Sequence, residues 1–108
     1  MPKLKILIDE SLDRRFAKEI LHAYVKTVPD MGWAGLTNGK LLEKAQIHFD
    51  VFLTSDQNLS FQQNFQEYQI TVIVLCPARN QLEDLKLLAP SLLKFLSKPM
   101  DKRVIYIR

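Results

Sequence analysis

Short apolar runs that alternate with longer segments of helical or polar character constrain the fold of this chain more than any other feature. The clearest run spans residues 70–75, where five of six residues are apolar, most are β-branched, and Pro77 follows closely. The other runs span residues 4–9, 24–28, 49–54 and 103–107. Strands that alternate with helices imply parallel crossovers and helices on both faces of a sheet. We therefore expect an α/β fold, a three-layer α/β/α sandwich with a mostly parallel sheet of about five strands.

Two segments between these runs have the spacing of amphipathic helices. Apolar residues between positions 12 and 21 fall on one helical face, and Ser11 is placed to cap that helix. A second helix is predicted over residues 38–46, with Thr37 as its cap. Leucines at helical spacing between residues 81 and 96 predict two further helices, the second starting near Pro90, because proline favours the first turn of a helix.

The length and cysteine content limit what else the chain can be. With 108 residues we expect one domain over 1–108 with one core. Cys76 is the only cysteine, which excludes an intramolecular disulfide and a cysteine-based zinc site. No apolar run approaches the roughly 18–20 residues that span a bilayer, and no signal peptide is recognisable, so we expect a cytoplasmic protein without a membrane partner. The net charge of +3 permits a nucleic-acid partner without requiring one.

Acidic and amide side chains follow the first and third predicted strands. Asp9 and Glu10 come after the first strand, and Asp56 and Asn58 after the third. Ligands of open α/β sheets bind at the carboxyl ends of the strands, so neighbouring strands would bring Asp9 and Asp56 together. Two adjacent carboxylates repel unless a cation lies between them, and oxygen ligands suit Mg²⁺ or Mn²⁺. The alternative is that Asp9 only caps the following helix.

Four short motifs in a fixed order carry a family resemblance. They read LIDESL at 7–12, GWAGL at 32–36, NGKLL at 38–42 and DVFLTSDQNL at 50–59. Together they resemble the PIN-like nuclease domains, in particular a short branch associated with predicted toxin–antitoxin systems. The likeness runs over nearly the whole chain.

The resemblance implies a ribonuclease that depends on Mg²⁺ or Mn²⁺. Asp9 and Asp56 match the catalytic, metal-binding acids of that family. Asn38 and Asn58 stand where many relatives carry further acids, and would act as weak metal ligands or orient water. Glu10 is a candidate for the compensating carboxylate, although strand alternation would turn it away from Asp9 if the strand continued.

Three features are candidates for contacts with RNA. Arg14 and Arg15 are placed to contact phosphates, or else cover a solvated helix face. Trp33 is placed to stack on a base, or else anchors its loop on the core. The uncharged segment 57–66 has three interpretations: it contacts single-stranded RNA, it binds an antitoxin protein or a second copy of the chain, or it is a polar surface segment that covers the core.

The function predicted from these features is metal-dependent ribonuclease activity, as the toxin of a toxin–antitoxin pair. A first alternative is a catalytically degenerate PIN-like module that binds RNA or a protein without cutting. A second is a receiver-like signalling domain, in which Asp56 would accept a phosphoryl group. The stretch Cys76-Pro77-Ala78 after the fourth strand supplies no lysine, which argues against that second alternative.

Overall fold

The apolar runs form a parallel sheet. The computed structural model describes residues 3–20, 22–56, 68–79, 81–98 and 104–108. The strands in these ranges are β1 (Lys5–Ile8), β2 (Tyr24–Thr27), β3 (Val51–Thr54), β4 (Thr71–Leu75) and β5 (Val104–Ile107). Their order is β2-β1-β3-β4-β5, and each neighbouring pair is parallel. The predicted parallel sheet is confirmed, with strand ends shifted by at most two residues.

Helices cover both faces of the sheet. Alternation along β1 directs Ile6 and Ile8 to one face and Leu7 to the other. The first face packs against a short 3-10 helix (Arg14–Glu19) and against α2 (Leu82–Leu96). The second face packs against α1 (Asn38–His48). The predicted three-layer α/β/α sandwich is therefore confirmed.

The segment after β1 differs from the helix that its apolar spacing predicts. Instead of an α-helix capped by Ser11, the chain forms the 3-10 helix, whose N-cap is Asp13. The Asp13 carboxylate accepts the N–H of Arg15 at 2.9 Å, whereas the Ser11 hydroxyl bonds elsewhere. The predicted cap was wrong because Ser11 has a tertiary partner. The predicted inward positions hold, since Phe16 and Ile20 are buried.

The leucine-rich segment forms one helix rather than two. Helix α2 runs through Pro90 without a break. Proline removes one intrahelical hydrogen bond, but Pro90 is exposed, so water can solvate the carbonyl that loses its donor. Burial of Leu85 and Leu92 on the sheet holds the helix together across this point. The prediction of a break at Pro90 was wrong for this reason.

The topology defines where a ligand site would form. From β1 the chain runs to β2 on one side, whereas β3 lies on the other side of β1. The strand order therefore reverses between β1 and β3, and ligands of open α/β sheets bind at the carboxyl ends of the strands near such a point. Helix α1 begins at the same edge, with Thr37 as its N-cap, because it returns to the amino end of β3. Neither α1 nor α2, the two α-helices within the described ranges, is long and apolar enough to cross a bilayer.

Candidate functional site

Asp9 lies at the switch point and is held there by two hydroxyl groups. It follows the last residue of β1, and its N–H donates to the carbonyl oxygen of Leu53 in β3 at 2.9 Å. Its Oδ2 accepts hydrogen bonds from Ser11 Oγ at 2.8 Å and from Thr54 Oγ1 at 2.7 Å. No described residue donates to Oδ1. One carboxylate oxygen is thus fixed by the protein, and the other is left for a ligand.

The two hydroxyls that contact Asp9 also contact backbone N–H groups. Both hydroxyls donate to Asp9 Oδ2, and the two hydroxyl oxygens lie 3.1 Å from each other. The hydroxyl oxygens accept backbone N–H groups in turn: Ser55 N–H donates to Ser11 Oγ at 3.1 Å, and Asp56 N–H to Thr54 Oγ1 at 3.0 Å. Two series of hydrogen bonds, each running from a backbone N–H through a hydroxyl to the carboxylate, therefore meet at Asp9 Oδ2. Within each series, one hydrogen bond polarises the next.

Asp56 joins the same network through its backbone. The Thr54 hydroxyl, which is fully buried, lies between the Asp9 carboxylate and the Asp56 N–H. Ser55 Oγ donates to the carbonyl oxygen of Ser11 at 3.1 Å, which ties the loop after β3 to the loop after β1. The two acids that sequence reasoning singled out are thus brought to one edge. We call Asp9, Ser11, Thr54, Ser55 and Asp56 the Asp9 site.

A cleft of about 290 Å³ opens beside the Asp9 site toward β2. It is lined by Asp9, Glu10, Leu12, Arg14, Thr27, Pro29 and Asp30. The prediction that alternation turns Glu10 away does not apply, because β1 ends at Ile8 and Glu10 lies in a turn. Three carboxylates and one guanidinium therefore line a single concave surface.

Asp30 is fixed at the rim of this cleft by reciprocal hydrogen bonds with Thr27. The Thr27 N–H donates to Asp30 Oδ2, and the Asp30 N–H donates to Thr27 Oγ1, each at 3.1 Å. The Thr27 N–H, followed by the Thr27 side chain, lowers the pKa of Asp30 below its usual value. Burial raises that pKa by less than either hydrogen bond lowers it, and the charges of Lys26 and then Arg14 lower it further. Asp30 and Arg14 thus place groups of opposite charge on the same cleft.

The two arginines expected to contact phosphates differ in their surroundings. Arg14 is exposed and lines the cleft. Arg15 instead forms an ion pair with Asp13 at 2.6 Å, through two guanidinium nitrogens. The hydrogen bond from the Arg15 side chain is the main cause that lowers the pKa of Asp13 to about 2. Arg14 is thus the better placed of the two for a ligand in the cleft.

The Trp33 side chain lies toward the other end of the sheet. Its ring is 6.0 Å from the ring of His48 and 6.1 Å, edge-on, from that of Phe49. Both partners lie where α1 ends and the chain enters β3, near the amino ends of the strands. Trp33 packs there against the core. It is not among the residues that line the cleft beside Asp9.

The amide candidates are only partly described. Asn38 is the first residue of α1, at the edge of the sheet where Asp9 lies. Asn58 and the segment 57–66 lie outside the described residues. Within the described ranges, no three acidic, histidine or cysteine side chains converge on a common metal position.

Ser11, Thr27 and Asp30 were not predicted as part of the site. Ser11 was interpreted as a helix cap, because its partner Thr54 is 43 residues away and the pairing depends on the register of β1 and β3. Thr27 and Asp30 carried a signal that was available, since threonine followed three residues later by an acid is the pattern of a capping box. Comparisons with protein-family models, curated proteins and solved structures found no match to this chain.

Proposed function

We propose that this chain is a divalent-cation-dependent ribonuclease whose site is built on Asp9. The observation that carries the proposal is the fixed Asp9 carboxylate at the switch point, with one oxygen held by two hydroxyls and the other left for a ligand. A carboxylate whose orientation is set by hydrogen bonds is a better metal ligand than a freely rotating one.

The residues of the site fit Mg²⁺ or Mn²⁺ by their chemistry. The side-chain donors are all oxygen atoms, from Asp9, Asp56 and Glu10, which suits hard cations. Mg²⁺ usually keeps several waters and is bound by one or two carboxylates together with substrate phosphates, so a pair of acids is sufficient. A bound cation of this kind would polarise a phosphoryl oxygen and lower the pKa of a water.

The remaining parts of the site would act on the substrate. Arg14 supplies a cation for a phosphate in a cleft that is otherwise acidic. Asp30, fixed by its hydrogen bonds with Thr27, lines the same cleft as that guanidinium. Three carboxylates and one guanidinium line this cleft. This charge balance favours a phosphodiester that binds through a metal ion over an anion that binds to arginine side chains alone.

Cleavage of labelled single-stranded RNA in Mn²⁺ or Mg²⁺, with an EDTA control, tests this proposal. Loss of a group that only orients a metal ligand costs roughly 10- to 100-fold in activity, so loss of the ligand in Asp9→Asn should cost at least that. Asp13→Asn is the matched control, because it changes a half-buried acid four residues away and asparagine also caps helices. Equal cleavage by the wild type and Asp9→Asn would contradict the proposal.

Experiments on the same wild-type and variant proteins distinguish two other functions from this one. RNA binding without metal-dependent cleavage would support the degenerate binding module, for which the amide of Asn38 at the start of α1 is the specific observation. The strand order β2-β1-β3-β4-β5 is the flavodoxin-like order, which receiver-like domains share. Stable labelling of Asp56 by a small phosphodonor would support that function.

The proposed toxin role is tested by expressing the protein in cells and measuring their growth. Wild-type protein should arrest growth, and the Asp9→Asn variant should not.

A further inference from the structure

A second cavity lies at the opposite end of the sheet from Asp9. It has a volume of about 350 Å³ and is lined by Lys5, Tyr24, Met31, His48 and Phe49, which we call the amino-end pocket. Lys5 and Tyr24 are the first residues of β1 and β2 and are partners in the parallel register. The length of β1, roughly 13 Å at 3.3 Å per residue, separates Lys5 from Asp9. The amino-end pocket is therefore distinct from the cleft beside Asp9.

Aromatic rings form one side of this pocket. Tyr24 is 48% exposed although it lies in a strand, so much of its ring is open to a ligand. His48 is also exposed, at the last residue of α1. The Trp33 ring lies 6.0 Å from that of His48 and 6.1 Å, edge-on, from that of Phe49, and so supports these two rings. The pocket thus offers two exposed rings, of which that of His48 packs against Trp33.

Positive charge borders the aromatic rings. The Lys26 ammonium lies 5.6 Å from the centroid of the Tyr24 ring, in a cation–π contact. Lys5 lines the pocket itself, and Lys3 precedes it by two residues and is exposed. The nearby carboxylate of Asp50 accepts the backbone N–H of Lys5 at 2.9 Å. Lys5 and Lys26 therefore border the rings, with the carboxylate of Asp50 beside Lys5 and that of Asp30 near enough to Lys26 for the ammonium to lower its pKa.

We propose that the amino-end pocket binds a nucleotide of single-stranded RNA, with the base stacked on Tyr24 and His48. The phosphates on either side of that base would contact Lys5 and Lys26. Aromatic platforms bordered by cations are how proteins hold single strands without reading their sequence. An acidic peptide would also be attracted by the lysines, but it has no flat ring for the open face of Tyr24. The proposal does not require cleavage, so it stands or falls separately from the chemistry at Asp9.

The binding of a fluorescein-labelled decamer of uridine, measured by anisotropy in EDTA, tests this site. Stacking contributes roughly 1–3 kcal/mol per base, so Tyr24→Ala should weaken binding about 5- to 140-fold. Tyr106→Ala is the matched control: Tyr106 is 38% exposed, lies in the opposite edge strand, and has the Arg108 guanidinium 5.4 Å from its ring centroid. We expect this control to bind like the wild type. Equal effects of the two substitutions would overturn the proposal.

Two further measurements do not depend on the folding of Tyr24→Ala. Replacing Lys5 and Lys26 with glutamine should reduce the slope of log K against log salt by about 1.4, at 0.7 per phosphate contact. Trp33 is the only tryptophan and contacts His48, so the unlabelled decamer should change its fluorescence. A decamer of glutamate should not. An equal change with polyglutamate, or an unchanged salt slope, would show that stacking on this pocket is not how RNA binds.

Discussion

Replacement of Thr54 by valine tests whether one buried hydroxyl holds the Asp9 site together. Valine has nearly the same shape as threonine and keeps the methyl group, but it removes the hydroxyl. Thr54 is fully buried, donates to Asp9 Oδ2 at 2.7 Å and accepts the Asp56 N–H at 3.0 Å. The substitution therefore removes these two hydrogen bonds, together with the 3.1 Å contact between Thr54 Oγ1 and Ser11 Oγ, and leaves the volume of the core nearly unchanged.

The two bonds set the expected change in the free energy of unfolding. A hydrogen bond to a charged group contributes about 1.5–3 kcal/mol, and a bond between neutral groups about 0.5–1.5 kcal/mol. We expect Thr54→Val to lower the free energy of unfolding by about 2–4 kcal/mol. Thr54→Ser is the matched control, because it keeps the hydroxyl and loses one buried methyl group, at about 1 kcal/mol.

Urea unfolding followed by the fluorescence of Trp33 measures both variants. The midpoints should fall in the order wild type, Thr54→Ser, Thr54→Val, with an unchanged dependence on urea concentration. The reasoning would be refuted if Thr54→Val were within about 0.5 kcal/mol of the wild type, which is the usual spread of surface substitutions. A cost for Thr54→Ser as large as that for Thr54→Val would also refute it, because the methyl group rather than the hydroxyl would then be responsible.

Three further predictions follow from other parts of the fold. The Asp13 carboxyl should titrate with a pKa of about 2 by NMR, and Arg15→Gln should move that pKa toward 3.8; the stabilisation from the pair is fully present above pH 3.8 and is lost as the pH falls through about 2. Leu85→Ala should cost about 2–5 kcal/mol in urea unfolding, because Leu85 is 1% exposed. Its control Leu87→Ala, at a position 76% exposed in the same helix, should change stability by less than about 0.5 kcal/mol. Pro90→Ala should raise the melting temperature, since proline costs up to about 3 kcal/mol in a helix interior; a lower melting temperature would show that Pro90 has a packing role.

The sheet and its helices were predictable because local pattern and tertiary burial agree there. All five residues of β4 are buried, and their β-branched composition predicts a central strand from sequence alone. Helix α1 begins at the predicted cap Thr37 for a similarly local reason, a side-chain hydrogen bond to Lys40 N–H. The prediction failed at Pro90, where packing of α2 on the sheet outweighs a local helix breaker.

Only those residues of the candidate site that directly follow a strand were predictable from the sequence. Asp9 and Asp56 meet because parallel strands end at one edge, which topology alone requires. The pairing of Ser11 with Thr54 depends on the register between β1 and β3, and no local pattern encodes a contact across 43 residues. The direction of the Trp33 ring is likewise set by packing against the end of α1 rather than by the glycines around it.

The position of a divalent cation tests the central claim most directly. A crystal of the protein soaked in Mn²⁺ would show an anomalous peak if a cation binds. We expect that peak within bonding distance of Asp9 Oδ1, between the Asp9 and Asp56 carboxylates, and we expect Asp9→Asn to abolish it. The absence of a peak at saturating Mn²⁺, or a peak that persists in Asp9→Asn, would contradict the account of a metal-dependent site at the β1–β3 switch point.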